Sequence, residues 1–382
     1  MTLFRSRIIK LFKLRNLSTA PQAVRVQEEL TQTFKTTENN PVNHDERHLG
    51  KFYTIPSGQL KTIFSHGLTN EYKKIITTFT EACLMVRKPA LDIFECLAQT
   101  NYKKPVNKYV IYGGYGCGKS STLLHVIHHG YCSNKIIVHI PWATHWYLGP
   151  KEVANSTTKD GLVDLPIDAA AWLVNFKKQN ADVLARTDLK LSKSYEWSPE
   201  DTSLKNSPLL DTIGLGIERI KYACDIVDAL MTELKEACIA GKCKVLVAID
   251  GFNALFADTT RVKDEQKQMV PSARISLTRS FLNITKSDWC NGEVVVVVDE
   301  KATEERRNSH LPRYLLSEKG FEHMDPFLPI AVENYSRDEF DTVIEYYKNR
   351  KWIRELTADG HKELKVISGA NPRKLMNYCK HL

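Results

Sequence analysis

"KYVIYGGYGCGKSSTLLHVIHH", residues 108–129, decides how the rest of the chain reads. It opens with a short apolar run of strand length, passes through a glycine-rich turn, and continues as a helical pattern. Gly113, Gly114, Tyr115, Gly116, Cys117, Gly118, Lys119 and Ser120 match the spacing G-x-x-x-x-G-K-[ST] in full. The glycines let successive backbone N–H groups turn toward one point, and the following helix adds the partial positive charge of its N-terminus. Such a segment holds a phosphate. Lys119 is expected to reach the β/γ-phosphates and the Ser120 hydroxyl to ligate Mg²⁺, with Ser121 available to the α-phosphate. Chance can produce the spacing; a strand before it and a helix after it are the context that the chemistry needs.

A phosphate loop also needs a carboxylate at the end of a neighbouring strand to hold Mg²⁺. "KVLVAIDG", 244–251, supplies Asp250 after an apolar run. An Asp also ends many strands for no such reason, and the pairing with the loop is what favours the metal role. Hydrolytic ATPases of the additional-strand class often carry Glu beside this Asp; here Gly251 stands there. Asn253 is a poor base and Glu300 lies after a different strand. A missing general base is worth on the order of 10² to 10⁴ in rate, so fast hydrolysis is not expected. "TKSD" at 285–288 matches a guanine-reading pattern but ends a helical stretch before a strand, and is set aside. Guanine and adenine stay open on these residues.

Working outward, the apolar runs "KIIVHIP" (135–141), "KVLVAID" (244–250) and "EVVVVVD" (293–299) have the character of buried parallel strands, with "FLPIAVENY" (327–335) as a weaker fifth whose Pro329 suits an edge. Helical patterns alternate with them. In 211–240, Ile213, Ile217, Ile220, Cys224, Val227, Met231 and Leu234 form one stripe, and Gly241 sits where that helix would stop. Upstream, 65–99 reads as helical, broken at Pro89. The expected fold is α/β: a P-loop NTPase of the additional-strand, AAA+/STAND-like kind, a parallel sheet with helices on both faces. The expected domains are a transit segment over 1–27, an extension and helical lead-in over 28–107, and a nucleotide-binding core over 108–335. The core carries an insertion after the second strand, about 143–207, and a helical C-terminal lid follows over 336–382.

The 382-residue chain carries a net charge of +8, and Arg5, Arg7, Lys10, Lys13, Arg15 and Arg25 account for six of it. The first acid is Glu28. An acid-free, Arg-rich, amphipathic start reads as a mitochondrial transit peptide, with a basic RNA- or membrane-binding arm as the alternative. What remains gives no bulk electrostatic reason to bind nucleic acid. No apolar run reaches the length of a membrane span. The nine cysteines are scattered, without C-x-x-C, which suits reduced thiols. His125, His128 and His129 read as a helix face rather than a metal site.

Near the end, "SGANPRKLMNYC" (368–379) opens a last helix with Arg373, placed as the arginine that reaches back to phosphates in AAA+ relatives; a surface arginine is nearly as good a reading. Taken in order, "CLMVRKPALD", "GGYGCGKSSTLLHVIHH", "VHIPWATHW", "AIDGFNALF", "LPRYLLSEKGFEHMDPFLPIAVENYSRDE", "YYKNRKW" and "GANPRKL" resemble the P-loop protein of the mitochondrial small ribosomal subunit, the family also called death-associated protein three. The resemblance runs from about residue 48 onward. It implies a structural component of the small-subunit head in the matrix, touching ribosomal RNA, neighbouring proteins and the large subunit. It also implies a bound GTP or GDP, with ATP less favoured, and Mg²⁺ at Ser120 and Asp250, with no established turnover. Gly113, Gly116, Gly118, Lys119, Ser120 and Ser121 would hold phosphates. Cys117 stands where Thr is frequent, losing a hydroxyl but keeping the size. Arg87 and Asn253 lie in characteristic stretches without an assigned role. The competing reading is a matrix AAA+/STAND-like ATPase with a regulatory or signalling role, which would want a catalytic Glu beside Asp250.

Overall fold

Five strands form one parallel sheet: β1 (Asn107–Tyr112), β2 (Ile136–Ile140), β3 (Val245–Ile249), β4 (Gly292–Val297) and β5 (Leu328–Ala331). Their spatial order is β5-β1-β4-β3-β2. The computed structural model describes residues 34–305 and 308–380, so the leader expected over 1–27 lies outside the described residues. β-branched and aromatic runs suit a sheet covered on both faces, because side chains alternate from face to face. Val110, Val138, Val247, Val294 and Val296 point into one core, while Tyr109, Ile111, Ile137, Val295 and Val297 point into the other. Pro329 lies on the edge strand β5, where its missing N–H costs no ladder bond.

The helices that matter below are α1 (Asn70–Phe79), α2 (Lys88–Ala98), α3 (Lys119–Cys132), α4 (Pro166–Gln179), α5 (Leu209–Glu218), α6 (Ala223–Ile239), α7 (Ser276–Ile284), α8 (Arg337–Asn349), α9 (Ala358–Ser368) and α10 (Pro372–Cys379). α2 and α3 cover one face of the sheet; α4, α5, α6 and α7 contribute to the core on the other. Trp172, Leu173 and Phe176 of α4 are buried in that core, so this part of 143–207 packs in the helical layer on the sheet's face. α8, α9 and α10 make up the C-terminal helices, the first held by a capping box between Ser336 and Glu339.

Two expectations need correction. The stripe over 211–240 is not one helix: the chain leaves helical geometry at Arg219, makes a tight turn over Ile220–Tyr222 and restarts as α6, leaving Ile220 42% exposed. Gly216 lies so close to Leu173 that a Cβ would sit 2.7 Å from its Cδ1, and the break lets α5 and α6 pack separately against α4. The lead-in is not all helical either. Cys83–Met85 is a strand, antiparallel to Phe52–Thr54, and Pro89 falls in the first turn of α2, where a missing N–H is harmless. Gly241 does follow the end of α6, at φ +72°. Among the described residues no helix is long and apolar enough to cross a membrane.

Candidate functional site

The turn between β1 and α3 is shaped by its close neighbours. Gly113 has φ +148°, and a Cβ there would meet the Val332 carbonyl oxygen at 2.2 Å. Gly116 has φ +79°, and a Cβ would meet Arg373 Cβ at 2.7 Å. Both positions therefore exclude a side chain by crowding as well as by backbone conformation. Among the described residues no backbone carbonyl accepts from the amides of Gly114 through Ser120, which are the donors that a phosphate would use. Cys117 is 1% exposed, and burial pushes its thiol pKa up; it fills the position as an apolar group.

Lys119 is buried. Its Nζ donates to the Gly113 and Gly114 carbonyls at 2.9 and 3.0 Å and pairs with Asp299 at 2.9 Å. Ser120 Oγ donates to Asp250 Oδ2 at 2.5 Å. The other carboxylate oxygen, Asp250 Oδ1, is buried with no hydrogen-bond partner. Burial, reinforced by the nearby Asp299 carboxylate, raises the Asp250 pKa to about 7 against the opposing pull of Ser120 and Lys119. An orphaned, hard oxygen beside a serine hydroxyl fits Mg²⁺, which takes few protein ligands and completes its shell with phosphate oxygens and water. Among the described residues no three His, Cys, Asp or Glu side chains gather as metal ligands, so a cation here would depend on such a mixed shell.

Arg373 reaches the loop differently from the expectation. Its backbone N–H donates to the Gly116 carbonyl at 3.1 Å, while its guanidinium lies 4.9 Å from the Tyr115 ring centroid and pairs with Glu71 at 2.6 Å. Lys301 Nζ lies 4.0 Å from the same ring centroid. Asn371 Nδ2 donates to the Tyr115 carbonyl at 3.0 Å. Ser121 lines a cavity of about 110 Å³ with Gly118, Thr122, Tyr72, Tyr346 and Pro372, which places the first turn of α3 against the C-terminal helices.

Sequence reasoning missed two groups and left a third without a role. Asp299 ends "EVVVVVD" with the same signal as Asp250, an acid closing an apolar run. Lys301 follows it, donating its backbone N–H to Asp299 Oδ1 at 2.8 Å. Arg87 is the third: Nε and Nη2 donate to Glu339 at 2.9 and 3.0 Å, Nη1 to the Cys117 carbonyl at 2.8 Å, and Nη2 also to the Glu333 carbonyl at 3.0 Å. One guanidinium thus joins the lead-in, the phosphate loop and α8. Asn253, set aside above as a poor base, spends its amide on both backbone groups of Asp299. Gly251 has φ +70°, and a Cβ would meet the Trp142 ring at 3.1 Å, so the backbone beside Asp250 does not welcome an acid. Thr285 of "TKSD" is the C-cap of α7, ahead of β4 rather than after a strand.

Known proteins share this chain's pattern over nearly its whole length. Residues 84–378 match the family described as "Mitochondrial ribosomal death-associated protein 3". A bovine (Bos taurus) protein named small ribosomal subunit protein mS29 is 38% identical over 354 residues, covering 91% of this chain and 88% of its own. The protein of the same name in Mus musculus is 36% identical over 352 residues, covering 91% and 89%. The Schizosaccharomyces pombe protein of that name is 22% identical over 380 residues, covering 93% and 76%.

Proposed function

This chain belongs to the mitochondrial ribosomal death-associated protein 3 family, and from that premise we propose that it is a structural component of the small-subunit head that holds a guanine nucleotide with Mg²⁺ as part of its architecture. It is a protein of the mitochondrial ribosome, in the matrix. There it associates with ribosomal RNA and neighbouring proteins and contributes to contacts with the large subunit. The fold reading is that of a P-loop NTPase of the additional-strand kind, which the sheet order β5-β1-β4-β3-β2 supports.

One observation carries the clamp reading: the phosphate loop is tied to distant parts of the chain. Arg87 holds the Cys117 carbonyl, Asn371 the Tyr115 carbonyl, and the Arg373 amide the Gly116 carbonyl. Bound phosphate would meet the free amides of the loop, with Lys119 exchanging a loop carbonyl for a phosphate oxygen and Arg373 and Lys301 adding positive charge at the mouth. Ser120 and Asp250 would hold Mg²⁺, which neutralises phosphate charge. The base and sugar would lie toward Ser121 and Tyr346. With Gly251 where a water-activating acid would stand and Asn253 spent on Asp299, turnover is expected to be negligible.

Sedimentation of matrix extract tests the placement: the chain should run with the small subunit, and recovery only in low-mass fractions would overturn it. Nucleotide released from the purified protein by denaturation should be guanine-based. Rapid GTP or ATP turnover that Lys119→Ala abolishes would favour an active ATPase or GTPase instead.

A further inference from the structure

Outside the phosphate site, the feature that carries most chemistry is a cleft of about 450 Å³ between α1 and the C-terminal helices. Lys73, Lys74, Thr77 and Thr78 of α1 form one wall; Trp352 and Lys380 stand on the other. Glu71 is the one acid on the lining, and it is paired with Arg373. Apart from Glu71, the segments 73–80, 348–354 and 370–380 that supply the walls carry lysines or arginines and no Asp or Glu, and Glu81 just beyond the first is paired with Lys35 and Arg350. Lys73, Lys74, Thr77, Thr78 and Lys380 are exposed, whereas Trp352 is half-buried. Its ring stands edge-on to Tyr347 and Phe79, at 4.7 and 5.0 Å between centroids. An indole fixed in this way has little rotamer freedom left to lose when something stacks on it.

We propose that this cleft binds the sugar–phosphate backbone of ribosomal RNA, with Lys73, Lys74 and Lys380 on phosphates, the Thr78 hydroxyl on a phosphate or ribose oxygen, and Trp352 beside an unstacked base; the Thr77 hydroxyl is donated to the Lys73 carbonyl at 3.0 Å. The inference rests on the ribosomal reading and names the surface that reading leaves unassigned. An acidic protein segment would also be drawn to the lysines. The stacking surface and the Thr78 hydroxyl are what RNA uses in addition, because every base has a π-face and every nucleotide repeats the same oxygens. The cleft borders the phosphate loop through the Glu71–Arg373 pair, so the two anion-binding surfaces are neighbours without sharing a lysine.

The test uses the purified full chain and a fluorescein-labelled single-stranded RNA, read by anisotropy between 50 and 200 mM KCl. Each phosphate contact contributes about 0.7 to the log–log salt slope on a single strand. The triple variant Lys73→Gln, Lys74→Gln, Lys380→Gln should bind at least tenfold more weakly, with a slope reduced by about 2. Lys177→Gln with Lys178→Gln on α4 should leave both unchanged. Trp352→Leu, checked for an unchanged circular dichroism spectrum, should weaken binding without altering the slope. Unchanged affinity and slope in the triple variant overturn the proposal, as does displacement of the RNA by poly-glutamate at equal charge concentration. Sedimentation separates the two claims. A wild-type chain that runs with the small subunit while the triple variant binds RNA normally refutes the cleft alone. A wild-type chain that never joins the subunit refutes the ribosomal reading, whatever the variant does.

Discussion

The two ends of α3 bury polar side chains in opposite ways. At its N-terminus Lys119 and Ser120 face Asp299 and Asp250, and one carboxylate oxygen is left without a partner. In its later turns His125, His128 and His129 pack without a carboxylate partner: His125 Nε2 lies 2.9 Å from His44 Nδ1, His128 bonds Tyr53 and Gln59, and His129 stacks on Phe94 at 4.2 Å with Lys135 nearby, while the Nδ1 atoms of His125 and His129 are also buried without a hydrogen bond. Burial favours the neutral form at both ends. It raises the pKa of Asp250 to about 7 and lowers those of His128 and His129 to about 4 and about 3. The difference is in what can undo it. A divalent cation would return Asp250 to its charged state, whereas among the described residues no acid pairs with these histidines. One end has the polar groups that a cation would take; the other fastens the segment around His44, Tyr53 and Gln59 to the helix.

The largest break in this contrast should come from Lys119→Ala. It leaves Asp299 buried without its countercharge, an effect worth about 3–5 kcal/mol, and would remove the proposed phosphate contact as well. Urea unfolding should show the loss, and adding Asp299→Asn should restore most of the stability while nucleotide binding stays absent. A Lys119→Ala protein as stable as the wild type would break the clamp reading. Arg87→Met should cost about 3 kcal/mol, because Glu339 loses its buried partner. Arg87→Lys should recover less than half of that, since an ammonium cannot span Glu339 and two carbonyls with fork geometry.

The histidine end should announce itself through pH. Its folded pKa values lie below the ordinary value of 6.5, so the unfolded chain binds protons more readily. Stability is then fully present above pH 6.5 and is lost as pH falls toward about 4, by about 1.4 kcal/mol per pH unit for each such proton. His129→Phe, which keeps the stack on Phe94, should flatten that slope by one proton in urea titrations. The smallest effect is expected from Glu71→Gln at the partly exposed pair with Arg373: below about 1 kcal/mol in stability, but with slower release of bound nucleotide because Arg373 loses its countercharge, measurable by stopped-flow fluorescence.

What was legible in the chain was what is local. The phosphate loop, the apolar strands and Asp250 each announce themselves within ten residues. Asp299 carried the same local signal as Asp250, but only folding shows that its partner is Lys119. Arg87 and Glu339 meet across 252 positions, and no periodicity links them. The break between α5 and α6 was hidden because both halves keep the apolar spacing; the turn at Arg219 is imposed by packing on α4. The strand Cys83–Met85 is three residues long and acquires its identity from pairing with Phe52–Thr54.

The tie between Asn371 and Tyr115 spans 256 positions, so the wall of the phosphate loop is delivered almost at the end of the chain. Contacts so distant in sequence form late and slowly. A chain that emerges N-terminus first carries its glycine loop without the ties to the Tyr115 and Gly116 carbonyls until residues 371–373 arrive. The wall of the loop is therefore built after the loop itself, and a chain truncated before Asn371 would lack it.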